Sequence, residues 1–360
     1  MLKPTDRPDS VNWPDAARQA AFLAWLAPLQ NTHHLLPHSL RAASSDASFR
    51  RYLRIDCEPA NADGPNSLIV MDAPPPHEDV RPFVAIAGML EGAGLNAPRV
   101  LAQDVESGFL LLTDLGSTLY LDALTLAATR EDQPAVDHLM RQAVGTLIDW
   151  QGRIDPGSLP AYDAALLQRE LALFPDWCLD REYGVQWNPT ERATWDDACR
   201  LLVDSALAQP TVAVHRDYMP RNLMLTASGP GILDFQDAVR GPISYDLASL
   251  LRDAFISWDE EMELDIAVRY WEQARKAGLP LSGDFGEFWR QVEWMGLQRH
   301  LKVLGIFCRL KHRDSKPKYS EDLPRFFVYA HRVAARYSAL RPLSRLIEPL
   351  LGTPRIDAFY

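Results

Sequence analysis

Hydrophobic positions recur at helical spacing from Asp15 to Leu29, which predicts an amphipathic helix there. The pattern changes from Leu40 onward. Phe49–Ile55, Ser67–Met71, Arg99–Asp104 and Phe109–Thr113 read as short strands, and Pro82–Leu90 as a helix with proline suited to its first turn. After Thr118 the pattern is mostly helical: Asp137–Gln151, Tyr162–Phe174, Tyr245–Asp253, Glu260–Ala277, Phe285–Arg309 and Pro324–Ser338. Three apolar runs interrupt it, Thr211–Val214, Leu223–Leu225 and Gly231–Leu233, and the turn at 226–231 joins the last two as a hairpin. Strands followed by helices predict an α+β chain of two unequal lobes. Residues 1–113 would be the small strand-rich N-lobe, 114–117 a hinge, and 118–360 the larger helical C-lobe.

The chain has 360 residues, enough for two lobes, and 47% hydrophobic with 24% charged residues is an ordinary globular composition. A formal net charge of -11 argues against nucleic acid or an anionic membrane as the main partner. The first ten residues lack the apolar core of a signal peptide, and Ala20–Leu29 is too short to span a bilayer. A cytoplasmic protein, monomeric or weakly dimeric, is expected. Cys57, Cys178, Cys199 and Cys308 lie far apart with no C-x-x-C pair, which predicts buried free thiols.

The candidate chemistry lies between the short strands. Residues 214–224 read Val-His-Arg-Asp-Tyr-Met-Pro-Arg-Asn-Leu-Met, and Ile-Leu-Asp-Phe-Gln-Asp follows at 232–237. The first segment fits the kinase catalytic loop H-R-D-x-x-x-x-N, and Asp234 opens a D-F-Q triplet where D-F-G would stand. Phosphoryl transfer asks little covalent help from a protein; it needs an aimed hydroxyl and neutralised phosphate charge. Asp217 would orient that hydroxyl and accept its proton, with His215 bracing the catalytic loop. Asn222 and Asp234 offer hard oxygen ligands suited to Mg²⁺.

With the continuation Gly241-Pro-Ile-Ser-Tyr-Asp-Leu-Ala248, these segments resemble the aminoglycoside phosphotransferase family, within the protein-kinase-like fold. The resemblance runs from about Leu40 to the C-terminal helices. Segments 45–54, 70–75, 111–116 and 298–307 together resemble its bacterial anomeric sugar kinases, which act on N-acetylmuramate and N-acetylglucosamine. That likeness implies ATP-dependent phosphorylation of the anomeric hydroxyl, giving a sugar 1-phosphate in peptidoglycan recycling. It also implies that Leu112, Asp114 and Leu115 form the hinge that holds adenine. Ser44–Ser48, with Ser45 and Ser48, would form the phosphate loop, and Asp246 would tie down the catalytic loop.

One departure stands out. Kinases place a lysine on the third strand, paired with a helix glutamate; Met71 occupies that position and Pro82–Leu90 has no glutamate. Arg50, Arg51 or Arg54 could supply the charge, with Arg54 the first choice. Strand alternation places Arg50, Tyr52 and Arg54 on one face and Arg51 on the other. The missing lysine also admits a non-catalytic, nucleotide-binding chain. For a sugar, Arg299 and His300 are the candidate contacts, on one helix with Trp294 and near Lys302. An aminoglycoside, choline or homoserine is the alternative acceptor.

Overall fold

The computed structural model describes residues 11, 13–45, 49–59 and 65–351. In chain order these hold α1 (Ala16–Thr32), β1 (Leu35–Ser45), β2 (Arg51–Cys57), β3 (Ser67–Asp72), α2 (Arg81–Gly92), β4 (Val100–Asp104) and β5 (Phe109–Thr113). Next come α3 (Tyr120–Thr129), α4 (Gln133–Arg153), α5 (Ala164–Leu173), α6 (Pro189–Leu207), β6 (Thr211–Val214), β7 (Leu223–Thr226), β8 (Gly229–Ile232) and β9 (Val239–Pro242). The remainder is helical: α7 (Tyr245–Leu251), α8 (Glu260–Lys276), α9 (Phe285–His312), α10 (Leu323–Arg336) and α11 (Arg341–Ile347). The chain divides into two compact units, 1–120 with 223–237, and 121–222 with 238–360.

The first unit is built on an antiparallel sheet of order β1-β2-β3-β5-β4. Alternation along β2 and β3 sorts its two faces. Leu53, Ile55, Leu68, Val70, Phe109 and Leu111 pack on one face against Phe22 and Leu26 of α1. On the other face the register aligns Tyr52, Met71 and Leu110, and beside them Arg54, Ile69 and Leu112. β1 was not expected as a strand. Pro37 interrupts it, and its register shifts between Leu36 and Arg41, which an edge strand tolerates. The expected hairpin is β7–β8. It is fastened within this unit by Leu225 N–H to the Thr118 carbonyl (2.8 Å) and Ile232 N–H to the Asn96 carbonyl (2.8 Å).

The second unit is helical around the short pair β6–β9, and α9 runs through its core. α6 adds a helix that the hydrophobic pattern alone did not single out. Its start was nonetheless written in the chain: Asn188 and Glu191 form a capping box around Pro189. A π-helical turn follows α5 over Phe174–Tyr183 and ends at Gly184, whose φ is 63°. All four cysteines are free; Cys57, Cys178 and Cys308 are buried.

Candidate active site

The catalytic-loop motif leaves β6 and is held by its own backbone and by one buried carboxylate. Asp246, in the first turn of α7, accepts the N–H groups of His215 (2.7 Å) and Arg216 (3.0 Å). It is wholly enclosed, and burial pushes its carboxyl up to about 7 against those two N–H groups and Arg299. The His215 ring lies against Trp150 and Tyr218, and its Nδ1 accepts the Asp217 N–H at 3.3 Å. Tyr218 donates to the Ala143 carbonyl at 2.8 Å. Asn222 Nδ2 donates to the Asp217 carbonyl at 2.9 Å, which orients the amide so that its oxygen is the ligand end. The loop therefore presents Asp217 from a rigid frame, with His215 inside that frame rather than at the surface.

Arg216 takes a left-handed backbone, φ 76°, which is uncommon outside glycine. Its guanidinium is drawn to Glu170 of α5 at 2.5 Å. Glu170 also accepts from Tyr162 and lies 3.2 Å from Lys302. Burial would raise the Glu170 carboxyl, but Lys302 and Arg216 outweigh it and hold it below the usual range. Asp217 acts electrostatically on both cations, so the proposed base sits in the field of Arg216 and Lys302.

The two expected sugar contacts are both buried on α9. Arg299 is 3% exposed and His300 0%. Arg299 donates to the Arg252 carbonyl at 3.3 Å, and the His300 ring stacks on Tyr329 with centroids 5.0 Å apart. Burial and then Arg299 keep His300 well below its usual pKa. The reason is that α9 is buried on all sides here, from Gln298 through Lys302, so these polar groups serve the interior. Trp177 is half-buried against the core of the second unit. It lines a cleft of about 510 Å³ with Trp187, Asp176, Asp180, Arg181 and Arg192.

In the first unit, Asp234 follows β8 with φ 58°, and its carboxylate accepts Gln236 Nε2 at 2.7 Å. Phe235 is buried and packs on Phe83 of α2, with centroids 4.7 Å apart, so the D-F-Q triplet is anchored to that helix. Asp234 offers a carboxylate oxygen in this unit and Asn222 an amide oxygen in the other, each a hard donor of the kind magnesium takes. In the segment expected as a hinge, Arg54 grips Asp114 through Nε (2.6 Å) and a second nitrogen (3.0 Å) and reaches the Gly116 carbonyl (2.6 Å). Burial opposes ionisation of Asp114, yet Arg54, Ser67 and the Gly116 N–H keep its carboxyl below the usual range. Arg54, first choice among the three arginines for the missing charge, is thus committed to Asp114 and Gly116. The Leu112 side chain is buried, and Leu115 packs over Gly231. Ser45 closes β1 opposite Arg51; Ser48 lies outside the described residues.

One residue that the pattern did not mark appears here. Glu78, three residues before α2, receives Arg50 Nε at 2.9 Å and the Phe49 N–H at 3.2 Å. The absence of glutamate from Pro82–Leu90 hid this carboxylate, which belongs to the loop instead.

Residues 39–281 match the phosphotransferase enzyme family. An N-acetylmuramate/N-acetylglucosamine kinase of Pseudomonas aeruginosa is 50% identical over 339 residues, covering 94% of this chain and 95% of the relative. One from Neisseria meningitidis is 44% identical, covering 94% and 98%. Among solved structures, choline kinase LicA from Streptococcus pneumoniae matches at TM-score 0.59 and 12% identity, covering 89% of this chain and 100% of that one. A streptomycin–ATP ternary complex of APH(2")-IIa matches at TM-score 0.54 and 16% identity, covering 87% and 96%. These last two show a shared fold.

Proposed function

The chain belongs to the phosphotransferase enzyme family, and from that premise we propose that it phosphorylates the anomeric hydroxyl of N-acetylmuramate and N-acetylglucosamine with ATP. The products are the sugar 1-phosphate and ADP, and the role is cytoplasmic peptidoglycan recycling. The observation that carries this reading is the 50% identity, over nearly the whole of both chains, to a kinase named for those two sugars. Among the described residues, no helix is long and apolar enough to cross a membrane.

In this reading Asp217 orients the acceptor hydroxyl and takes its proton as the new P–O bond forms and the γ-phosphoryl leaves ADP. Asn222 and Asp234 are the proposed magnesium ligands, and the hinge Leu112–Leu115 receives adenine. When bound, magnesium neutralises phosphate charge. The preferred test is a coupled ADP-release assay over N-acetylmuramate, N-acetylglucosamine, an aminoglycoside, choline and homoserine. Phosphorus NMR of the product then assigns the hydroxyl. Release with the two amino sugars and an anomeric phosphate is expected; turnover confined to the other acceptors would replace this reading.

A further inference from the structure

The third strand carries Met71 where a kinase would carry its phosphate-binding lysine, and Met71 is buried at 1% exposure. A substitute cation must reach the same side of the sheet. Three arginines begin β2 or lie along it, and the structure gives them three different employments. Arg51 points to the α1 face, where it and Arg18 both bind Asp72, and it lies over Trp13. Arg54 is on the Met71 face but is held by Asp114 and Gly116. Arg50 continues the alternation of Tyr52 and Arg54, and Tyr52 is directly opposite Met71. Its guanidinium therefore emerges on the Met71 face, one row beyond the start of β2.

Arg50 has the remaining attributes of a clamp. Its side chain is 14% exposed and ion-paired at 2.9 Å with Glu78, itself 11% exposed. Glu78 also accepts the Phe49 N–H, so a single carboxylate fixes both the backbone entering β2 and the guanidinium. Burial opposes the charge on Arg50; Tyr52, Glu78 and Asp234 more than compensate, which locates Asp234 within its electrostatic reach. The same unit thus holds a cation, a carboxylate that orients it, and the proposed metal ligand.

We propose that Arg50, positioned by Glu78, binds the nucleotide phosphates in place of the third-strand lysine, so that the lysine–glutamate pair of a kinase is rebuilt as an arginine–glutamate pair. This rests on the ATP-dependent reading above. An arginine suits the task because its fork can hold Glu78 with one edge and phosphate oxygens with another.

The experiment compares ATP with adenosine, which has the same base and ribose but no phosphate. Affinities for both are measured by calorimetry, with and without magnesium, in wild type, Arg50→Met, Arg50→Lys and Glu78→Gln. In Arg50→Met, ATP affinity should fall about tenfold or more while adenosine affinity stays within about twofold; kcat with an amino sugar should fall about 10²-fold. Arg50→Lys should recover part of both losses. Glu78→Gln should weaken ATP selectively and less severely. Equal losses for ATP and adenosine, or an unchanged ATP-to-adenosine ratio in Arg50→Met, would overturn the proposal. If Arg50→Met does not fold, an unchanged ratio in the other two variants overturns it instead. The ratio needs no acceptor, so it decides Arg50 even if wild type releases no ADP with amino sugars, the outcome that would sink the substrate reading.

Discussion

Asp217 occupies a loop whose every neighbour is spoken for: His215 inward on Trp150, Arg216 on Glu170, Asn222 on the Asp217 carbonyl. Removing its carboxylate should leave that frame standing. Asp217→Ala is expected to lower kcat by about 10²–10⁴-fold, the usual worth of a positioned base, with ATP affinity little changed. Near-wild-type ADP release from the variant would remove Asp217 from the mechanism. Asp246 carries a second residue-level consequence. Its folded carboxyl titrates at about 7, above the ordinary 3.8, so the native state holds the extra proton between those values. Stability from this group is full below 3.8 and is lost as pH rises through 7, at up to about 1.4 kcal/mol per pH unit. Urea unfolding at pH 5, 6, 7 and 8 should show that decline in wild type and a flatter profile in Asp246→Asn. Matching slopes would show that Asp246 titrates as an ordinary exposed carboxylate.

At the scale of elements, what the sequence reveals depends on how many sides of an element are buried. β5 was readable to the residue, Phe109–Thr113, because it is a short apolar run between turns. α9 was readable as a helix but not in its orientation. Helical periodicity presumes a wet face, and Gln298–Lys302 has none, so Arg299 and His300 passed for available groups. The three arginines of β2 pose a similar problem: alternation divides them between faces, but only tertiary contacts tell Arg50 from Arg54. Gly305 shows how closely α9 is approached. A Cβ there would lie 2.4 Å from the Leu173 carbonyl carbon at the end of α5. Gly305→Ala should gain helix propensity and still lose about 1–3 kcal/mol overall, because the two backbones must separate. Chemical denaturation checks the sign; a more stable variant would mean that α5 yields freely.

On the scale of the whole molecule, the composition correctly suggested a large interior, but not that the second unit encloses ions. Arg252 is 2% exposed and bonds Glu263 at 2.7 Å and Glu293 at 3.3 Å. Arg332 and Arg336 of α10 approach the same two carboxylates, so α7, α8, α9 and α10 meet at one charge cluster. Arg252→Met should destabilise the protein by about 3–5 kcal/mol, since it leaves buried carboxylates under-compensated. A shift of the urea midpoint with an unchanged slope would fit that cause. A midpoint within experimental error of wild type would mean that Arg332 and Arg336 suffice alone.

The cysteines give the chain a built-in recorder of its own openings. Cys178 and Cys308 touch one another at 0% exposure in the core of the second unit, one on the π-helical turn and one on α9. Cys199 is partly covered, and burial pushes its thiol up to about 12. A thiol-directed reagent reacts with thiolate, so it finds little to modify in the closed molecule. The slow modification rate at Cys178 and Cys308 then counts how often α9 parts from its neighbours, without any introduced cysteine.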